Sequence, residues 1–207
     1  MHPPKDIHQE ISEIRSLMER SSRFISLSGL SGIFAGIFAL GGAAIAYLLL
    51  KKEYGSASLY QDQNISPDLI QWLLLDALGI IVLAVATGIY FTTRNAKKKG
   101  LKTWDHTTKR VLSNLLLPLA TGGLFCLILI FQQFIVLVAP ATLIFYGLAL
   151  INASKYTLSD IRYLGIIEIS LGLLASFFLG YGLLFWSIGF GLMHILYGTI
   201  MYFKYEK

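Results

Sequence analysis

Long apolar stretches separated by short polar ones dominate the chain: roughly 24–50, 69–91, 111–131, 134–154, 164–182 and 183–203. About 20 mostly apolar residues cross a bilayer core as a helix, so each stretch predicts one membrane-crossing helix. The third and fourth stretches run almost without a break, as do the fifth and sixth, and each pair is too long for one helix. Each therefore folds back as a tight hairpin. Gln132-Gln133 is the polar break in the first and Gly180-Tyr181-Gly182 the break in the second, because glycine accepts the backbone angles of a turn. The predicted fold is an all-α membrane protein with six transmembrane helices in three antiparallel hairpins. Ala44-Ile45-Ala46 resembles a signal cleavage site, but the first apolar run far exceeds the roughly 7–15 residues of a signal peptide. It reads as a retained span. Pro118 and Pro140 are expected to kink spans three and four.

Outside the spans, Ile7, Ile11, Ile14, Leu17 and Met18 recur at helical spacing. They predict an amphipathic helix over residues 1–23, lying on the inner membrane surface or packed on the cytoplasmic loops. Residues 204–207 form a short cytoplasmic tail. Thr157-Leu158-Ser159-Asp160 has the spacing of a capping box, which starts span five near Leu158. Asn64-Ile65-Ser66 matches a glycosylation sequon, but Pro67 follows it.

Composition strengthens the membrane reading. Charged residues make up only 14% of the 207 residues and hydrophobic ones 55%, where an average globular protein carries about 25% charged residues. Mean hydropathy is +0.64. The net charge of +5 would suggest nucleic acid on a soluble chain. Here the basic residues sit between apolar runs, where they set topology and meet anionic lipid head groups. Of the 17 lysines and arginines, only Lys51 and Lys52 fall on one side of the six-span scheme, which puts both termini in the cytoplasm. The densest basic segment carries Arg94, Lys97, Lys98, Lys99, Lys102, Lys109 and Arg110. It shows no regular interleaving of aromatics, so no nucleic-acid partner is expected. Trp72, Tyr181 and Trp186 read as an outer aromatic belt. Tyr90, Trp104, Tyr156, Tyr163, Tyr202 and Tyr205 read as an inner one.

Three ionisable residues fall within spans: Asp76, Glu168 and His194. A charge in hydrocarbon costs about 2.5–3.5 kcal/mol on insertion scales, so each needs a partner, a proton or water. Gly165, Glu168, Gly172 and Ser176 share one face of span five, and Ser187, Gly191, His194 and Gly198 one face of span six. At equal depth about a turn at Tyr181-Gly182, Gly165 faces Gly198, Glu168 faces His194, Gly172 faces Gly191 and Ser176 faces Ser187. Small residues at matched depth permit close helix approach, so a tight pair with Glu168 opposed to His194 is expected. Such a pair is either helix glue or a proton-responsive element. Asp76 shares a face with Gly79, Leu83, Thr87 and Tyr90, and no matching base is visible in another span.

Gly29, Gly32 and Gly36 form a further small-residue face on span one, which suits internal packing and also permits a homodimer. Cys126 lies in an apolar run without a second cysteine, as a packing thiol does. No HExxH, GxSxG, P-loop or dinucleotide fingerprint occurs. Neither a metal nor a cofactor is expected, nor enzymatic activity. The run Met18-Glu19-Arg20-Ser21-Ser22-Arg23-Phe24 through Gly29-Leu30-Ser31-Gly32, and the ending from Gly180-Tyr181-Gly182-Leu183 through His194 and Tyr197-Gly198, resemble a group of uncharacterised integral membrane proteins of Bacteroidota-type bacteria. That resemblance implies a bacterial inner membrane and brings no catalytic residue. Two functions fit these residues. One is a non-enzymatic packing, accessory or sensing role. The other is a small transporter or channel whose polar path uses Asp76, Glu168 and His194.

Overall fold

The computed structural model describes residues 27–54, 65–101 and 103–207. The helix expected over residues 1–23, the sequon residue Asn64 and Lys102 lie outside the described residues. All regular structure within them is helical. In chain order it comprises α1 (Gly29–Tyr54), α2 (Pro67–Lys98), α3 (His106–Phe131), α4 (Val138–Ala153), α5 (Asp160–Phe177), the short α6 (Gly182–Trp186) and α7 (His194–Tyr205). A π-helical segment, Ser187–Met193, joins α6 to α7, so the three form one continuous last rod from Gly182 to Tyr205. Single 3-10 turns occupy Ile135–Leu137, Ser154–Tyr156 and Leu179–Tyr181.

Five of these rods are long and apolar enough to cross a membrane: α1, α2, α3, α4 with its flanking turns, and the rod from Leu179 to Tyr205. The chain is accordingly a multi-pass membrane protein. The sixth, α5, has only 18 residues, so no comparable stretch of it avoids Asp160, Arg162 and Glu168, whereas the longer rods contain apolar stretches with few charges.

Local chemistry explains the ends of the helices. Ser66 caps α2, accepting a hydrogen bond from the Leu69 amide at 3.2 Å, with Pro67 in the first turn; proline has no amide to lose there. Asp105 caps α3 through the Thr108 amide at 2.7 Å. At the far end of α2, Gly100 adopts φ +65°. The Leu101 amide then reaches Ala96 O at 2.9 Å and the Gly100 amide reaches Lys97 O at 3.2 Å, which is a Schellman stop. The end of α3 repeats this geometry with glutamine in glycine's place. Gln133 has φ +64°, and the Phe134 and Gln133 amides reach Leu129 O and Ile130 O at 2.8 and 3.0 Å.

Three local expectations change. The break at Gly180-Tyr181-Gly182 contains no left-handed glycine; it is a 3-10 turn, and Gly182 has helical angles. Pro140 does not kink span four, because it sits in the first turn of α4, where its missing amide has no helical partner to lose. Pro118 does lie inside α3. Span five starts at Asp160, two residues past Leu158. The Asp160 carboxylate accepts from Lys204 Nζ at 3.0 Å and from the Tyr205 hydroxyl at 2.6 Å.

Helix packing follows small residues. α1 packs on α2 and along the last rod, while α4 packs on α3 and α5. The last rod thus sits between α1 on one side and α4 with α5 on the other. α2 and α3 lie at the margins, and α2 leaves large apolar side chains such as Leu78, Ile81 and Val82 exposed, a surface suited to lipid. One end of the bundle gathers the polar ties. Asn95 Nδ2 donates to Leu27 O at 3.2 Å and Asn152 Nδ2 to Asn114 O at 3.0 Å. The Glu206 carboxylate accepts from Ser28 Oγ at 3.1 Å and from the Gly29 amide.

Candidate functional site

Glu168 and His194 meet where α5, α4 and the last rod converge. Glu168 Oε1 lies 3.5 Å from His194 Nδ1. The glutamate is fully buried, 0% exposed, and the histidine is 7% exposed. The imidazole is well bound. Its Nδ1 lies 3.0 Å from the Gly189 carbonyl and its Nε2 lies 2.7 Å from the Tyr146 hydroxyl. A carbonyl only accepts, so Nδ1 carries the proton and donates to Gly189 O. Nε2 then accepts from Tyr146. The carboxyl differs from the ring it faces: neither Glu168 oxygen has a hydrogen-bond partner among the described residues, since 3.5 Å is too long for a good one.

The π segment shapes this pocket. Gly189 lies within it, and a β-carbon there would collide with Glu168 Oε2 and stand 2.6 Å from Leu143 Cδ2. Glycine at this position therefore makes room for the carboxyl. π-helical turns are rare and recur at functional sites. Aromatic rings line the approach from the other end of the rod. Trp186 and Phe190 have centroids 5.0 Å apart, Phe190 stacks on His194 at 5.8 Å, and Tyr146 leans on Phe190 at 4.9 Å.

The small-residue faces find different partners from the expected ones. α5 packs on α4: a β-carbon on Gly165 would stand 2.8 Å from Gly147 O, and one on Gly172 would stand 2.9 Å from Pro140 O. The last rod packs on α1: Gly198 abuts Gly29 and Gly32, and Gly36 abuts Gly191 O. The proposed facing of Gly165 with Gly198 and of Gly172 with Gly191 is therefore not found. Ser176 and Ser187 each donate back to their own helix, to Gly172 O and Leu183 O at 2.9 and 2.7 Å. The Gly29-Gly32-Gly36 face is occupied within the chain.

Asp76 stands apart from this cluster. It lies against α1, where a β-carbon on Gly42 would be 3.3 Å from its Oδ2. It lines a cavity of about 270 Å³ at the opposite end of the bundle from the polar ties. Thr142 and Trp186 share that lining, so Trp186 faces the cavity rather than serving only as a belt residue. Glu168 is not among its walls. Arg94, Lys97 and Lys98 occupy the last turns of α2, and Lys99 is its cap. Lys109 and Arg110 begin α3. Cys126 is buried beside Leu129 and Ala141. Among the described residues no three His, Cys, Asp or Glu side chains gather as a metal site would.

Tyr146, Gly189 and the π segment escaped the sequence reading. The signal that existed was the recurrence of Trp186, Phe190 and His194 every four residues, which draws one aromatic stripe into the acid–imidazole pair. Comparison of the chain with protein-family models, with curated proteins and with solved structures found no match.

Proposed function

We propose that this chain is a six-span inner-membrane protein with a non-enzymatic sensing role, in which Tyr146, His194 and Glu168 respond to protons. The observation that carries the reading is the fully buried carboxyl of Glu168, neither of whose oxygens is hydrogen-bonded among the described residues. Helix glue calls for a satisfied pair, because an unsatisfied buried polar group costs about 1–3 kcal/mol. A carboxyl that destabilises its own fold and lies against a histidine suits a switch better than a strut.

The two protonation states give two hydrogen-bond patterns. With Glu168 ionised, the Nδ1–H lies between the Gly189 carbonyl and the carboxylate, and Tyr146 donates to Nε2. One added proton on Glu168 lets the carboxyl donate to Nδ1. The ring proton then moves to Nε2 and is donated to the Tyr146 oxygen. Gly189 loses its cap, so the proton's position is coupled to the π segment. Other titratable groups near the pair are few. On α4 there is Tyr146, on α7 Tyr197 one turn beyond His194, on α1 between Gly29 and Leu50 only Tyr47, and the remaining acids and bases of α5 and α7 cluster at the end holding Asp160 and Lys204.

Amide exchange across residues 187–193, corrected for intrinsic rate, tests this in lipid nanodiscs. Exchange should quicken from pH 8.5 to pH 5.5 in the parent. Glu168→Gln, whose amide donates as a protonated carboxyl does, should hold it fast at both pH values, and His194→Ala should abolish the response. A parent indifferent to pH ends the reading. Transport along Asp76, Glu168 and His194 is less well supported, because Asp76 lines a cavity that Glu168 does not reach.

Six crossings, with both termini cytoplasmic, rest on two supports. Glu206 binds the start of α1, so the first and last rods end on the same face, which requires an even number of crossings. At about 27 Å, α5 is long enough to supply the sixth. The excess of lysine and arginine at that same end supports placing it in the cytoplasm. In a Cys126→Ser background, single cysteines at Gln133 and Gly180 should label from outside intact cells. One at Glu206 should label only after lysis, and the reverse pattern inverts the topology.

A further inference from the structure

We propose that the cavity lined by Asp76 binds a small protonated amine carrying an apolar body. The cavity holds about 270 Å³, near the lower end of ligand-site volumes, which suits a small molecule. Its walls are apolar except at three places. Among the described residues Asp76 is the one ionisable lining group, and its carboxylate has no hydrogen bond or ion pair with any of them. Thr142 Oγ1 already donates its proton to Ala139 O at 2.7 Å, so towards the cavity it can only accept. Trp186 supplies an aromatic ring, a surface that attracts cations. A carboxylate and an acceptor-only hydroxyl complement a cationic donor and oppose an anion; the Trp186 ring beside them adds aromatic surface. The remaining walls, such as Leu73 and Ile80, match an alkyl or aryl body. The site lies beyond the Glu168 pocket, and its test does not pass through that residue, so either reading stands if the other fails.

The probes are 2-phenylethylamine, with 2-phenylethanol as its neutral counterpart. Trp72 and Trp104 are exposed and are replaced by phenylalanine, leaving Trp186 as the reporter. In phosphatidylcholine nanodiscs at pH 7 the amine should shift Trp186 emission saturably, and the alcohol should bind at least tenfold more weakly. Asp76→Asn should erase that preference. Ala77→Phe, at an exposed lining position, should block saturable binding of both. An unsaturable response, equal affinity for amine and alcohol in the parent, or amine binding untouched by both Asp76→Asn and Ala77→Phe overturns the proposal.

Discussion

Gly29 and Gly198 meet backbone to backbone where α1 crosses α7. A β-carbon on Gly198 would stand 2.7 Å from the Gly29 carbonyl oxygen and 2.6 Å from the Ile33 amide nitrogen. Backbone cannot move aside as a side-chain tip does, so one methyl group must push two helices apart. Gly198→Ala should therefore destabilise by about 1–3 kcal/mol, the usual cost of overpacking. Gly41→Ala and Gly88→Ala are the contrast. Nothing lies within 4 Å of a β-carbon at either, so alanine's better helix propensity should add about 0.5–1 kcal/mol. Unfolding in mixed micelles with increasing dodecyl sulfate measures all three. A Gly198→Ala protein as stable as the parent would show that the crossing is looser than described.

That crossing also marks what the sequence could and could not reveal. The stripes of Gly29, Gly32 and Gly36 and of Gly191 and Gly198 were legible, because 3.6-residue periodicity puts them on single faces. Their partners were not. A glycine face says that some backbone can approach, and bundle topology decides which. Equal-depth pairing assumed that neighbours in sequence are neighbours in contact. α5 turns its glycines to α4 and α7 turns its own to α1, while the depth matching still leaves Glu168 and His194 side by side. The π segment was invisible for a different reason, since its wider turn has no residue signature comparable to a cap or a proline. Tyr146 was missed with it, because only the packing of α4 against the last rod brings that hydroxyl to the ring.

Gln133 is a second position where the backbone departs from what its side chain prefers. It ends α3 at φ +64°, where a residue with a β-carbon costs roughly 1–2 kcal/mol. Gly100 does the same work at the end of α2 without that penalty. Gln133→Gly should raise stability by about 1 kcal/mol in the same assay, despite the freedom glycine adds to the unfolded chain. Gln133→Val, with a branched β-carbon, should lower it. A Gln133→Gly variant weaker than the parent would mean that the glutamine side chain makes a contribution the turn geometry does not reveal.

The start of α3 carries a pH dependence of known sign. Hydrogen bonding to the Thr108 amide holds the Asp105 carboxyl below its ordinary value of 3.8. A folded pKa below the unfolded one adds stability that is complete above the unfolded value. It is lost as pH falls through the folded value. The loss therefore belongs to the acid limb below about pH 4. Asp105→Asn keeps a capping oxygen and should match the parent most closely at low pH, while showing a flatter acid limb. Asp105→Ala should cost about 1 kcal/mol at neutral pH. Melting temperatures recorded between pH 2.5 and 7 check both, and an unchanged acid slope in Asp105→Asn would remove Asp105 as its source.

Glu168 and His194 touch each other yet should respond oppositely to removal. His194 holds the Gly189 carbonyl at 3.0 Å and the Tyr146 hydroxyl at 2.7 Å. His194→Ala strands both and opens a cavity, so it should cost about 2–4 kcal/mol. Glu168 satisfies neither of its oxygens among the described residues. Glu168→Met keeps the length of the side chain and discards the buried carboxyl, so it should gain about 1–3 kcal/mol. The double variant should fall short of the sum, because the residues are in contact. Urea or dodecyl sulfate titrations at pH 7 separate these outcomes. A Glu168→Met protein less stable than the parent would mean that the carboxyl is held by a bond strong enough to repay its burial. The pair would then be a strut between α5 and α7, and the proton-sensing role would lose its physical basis.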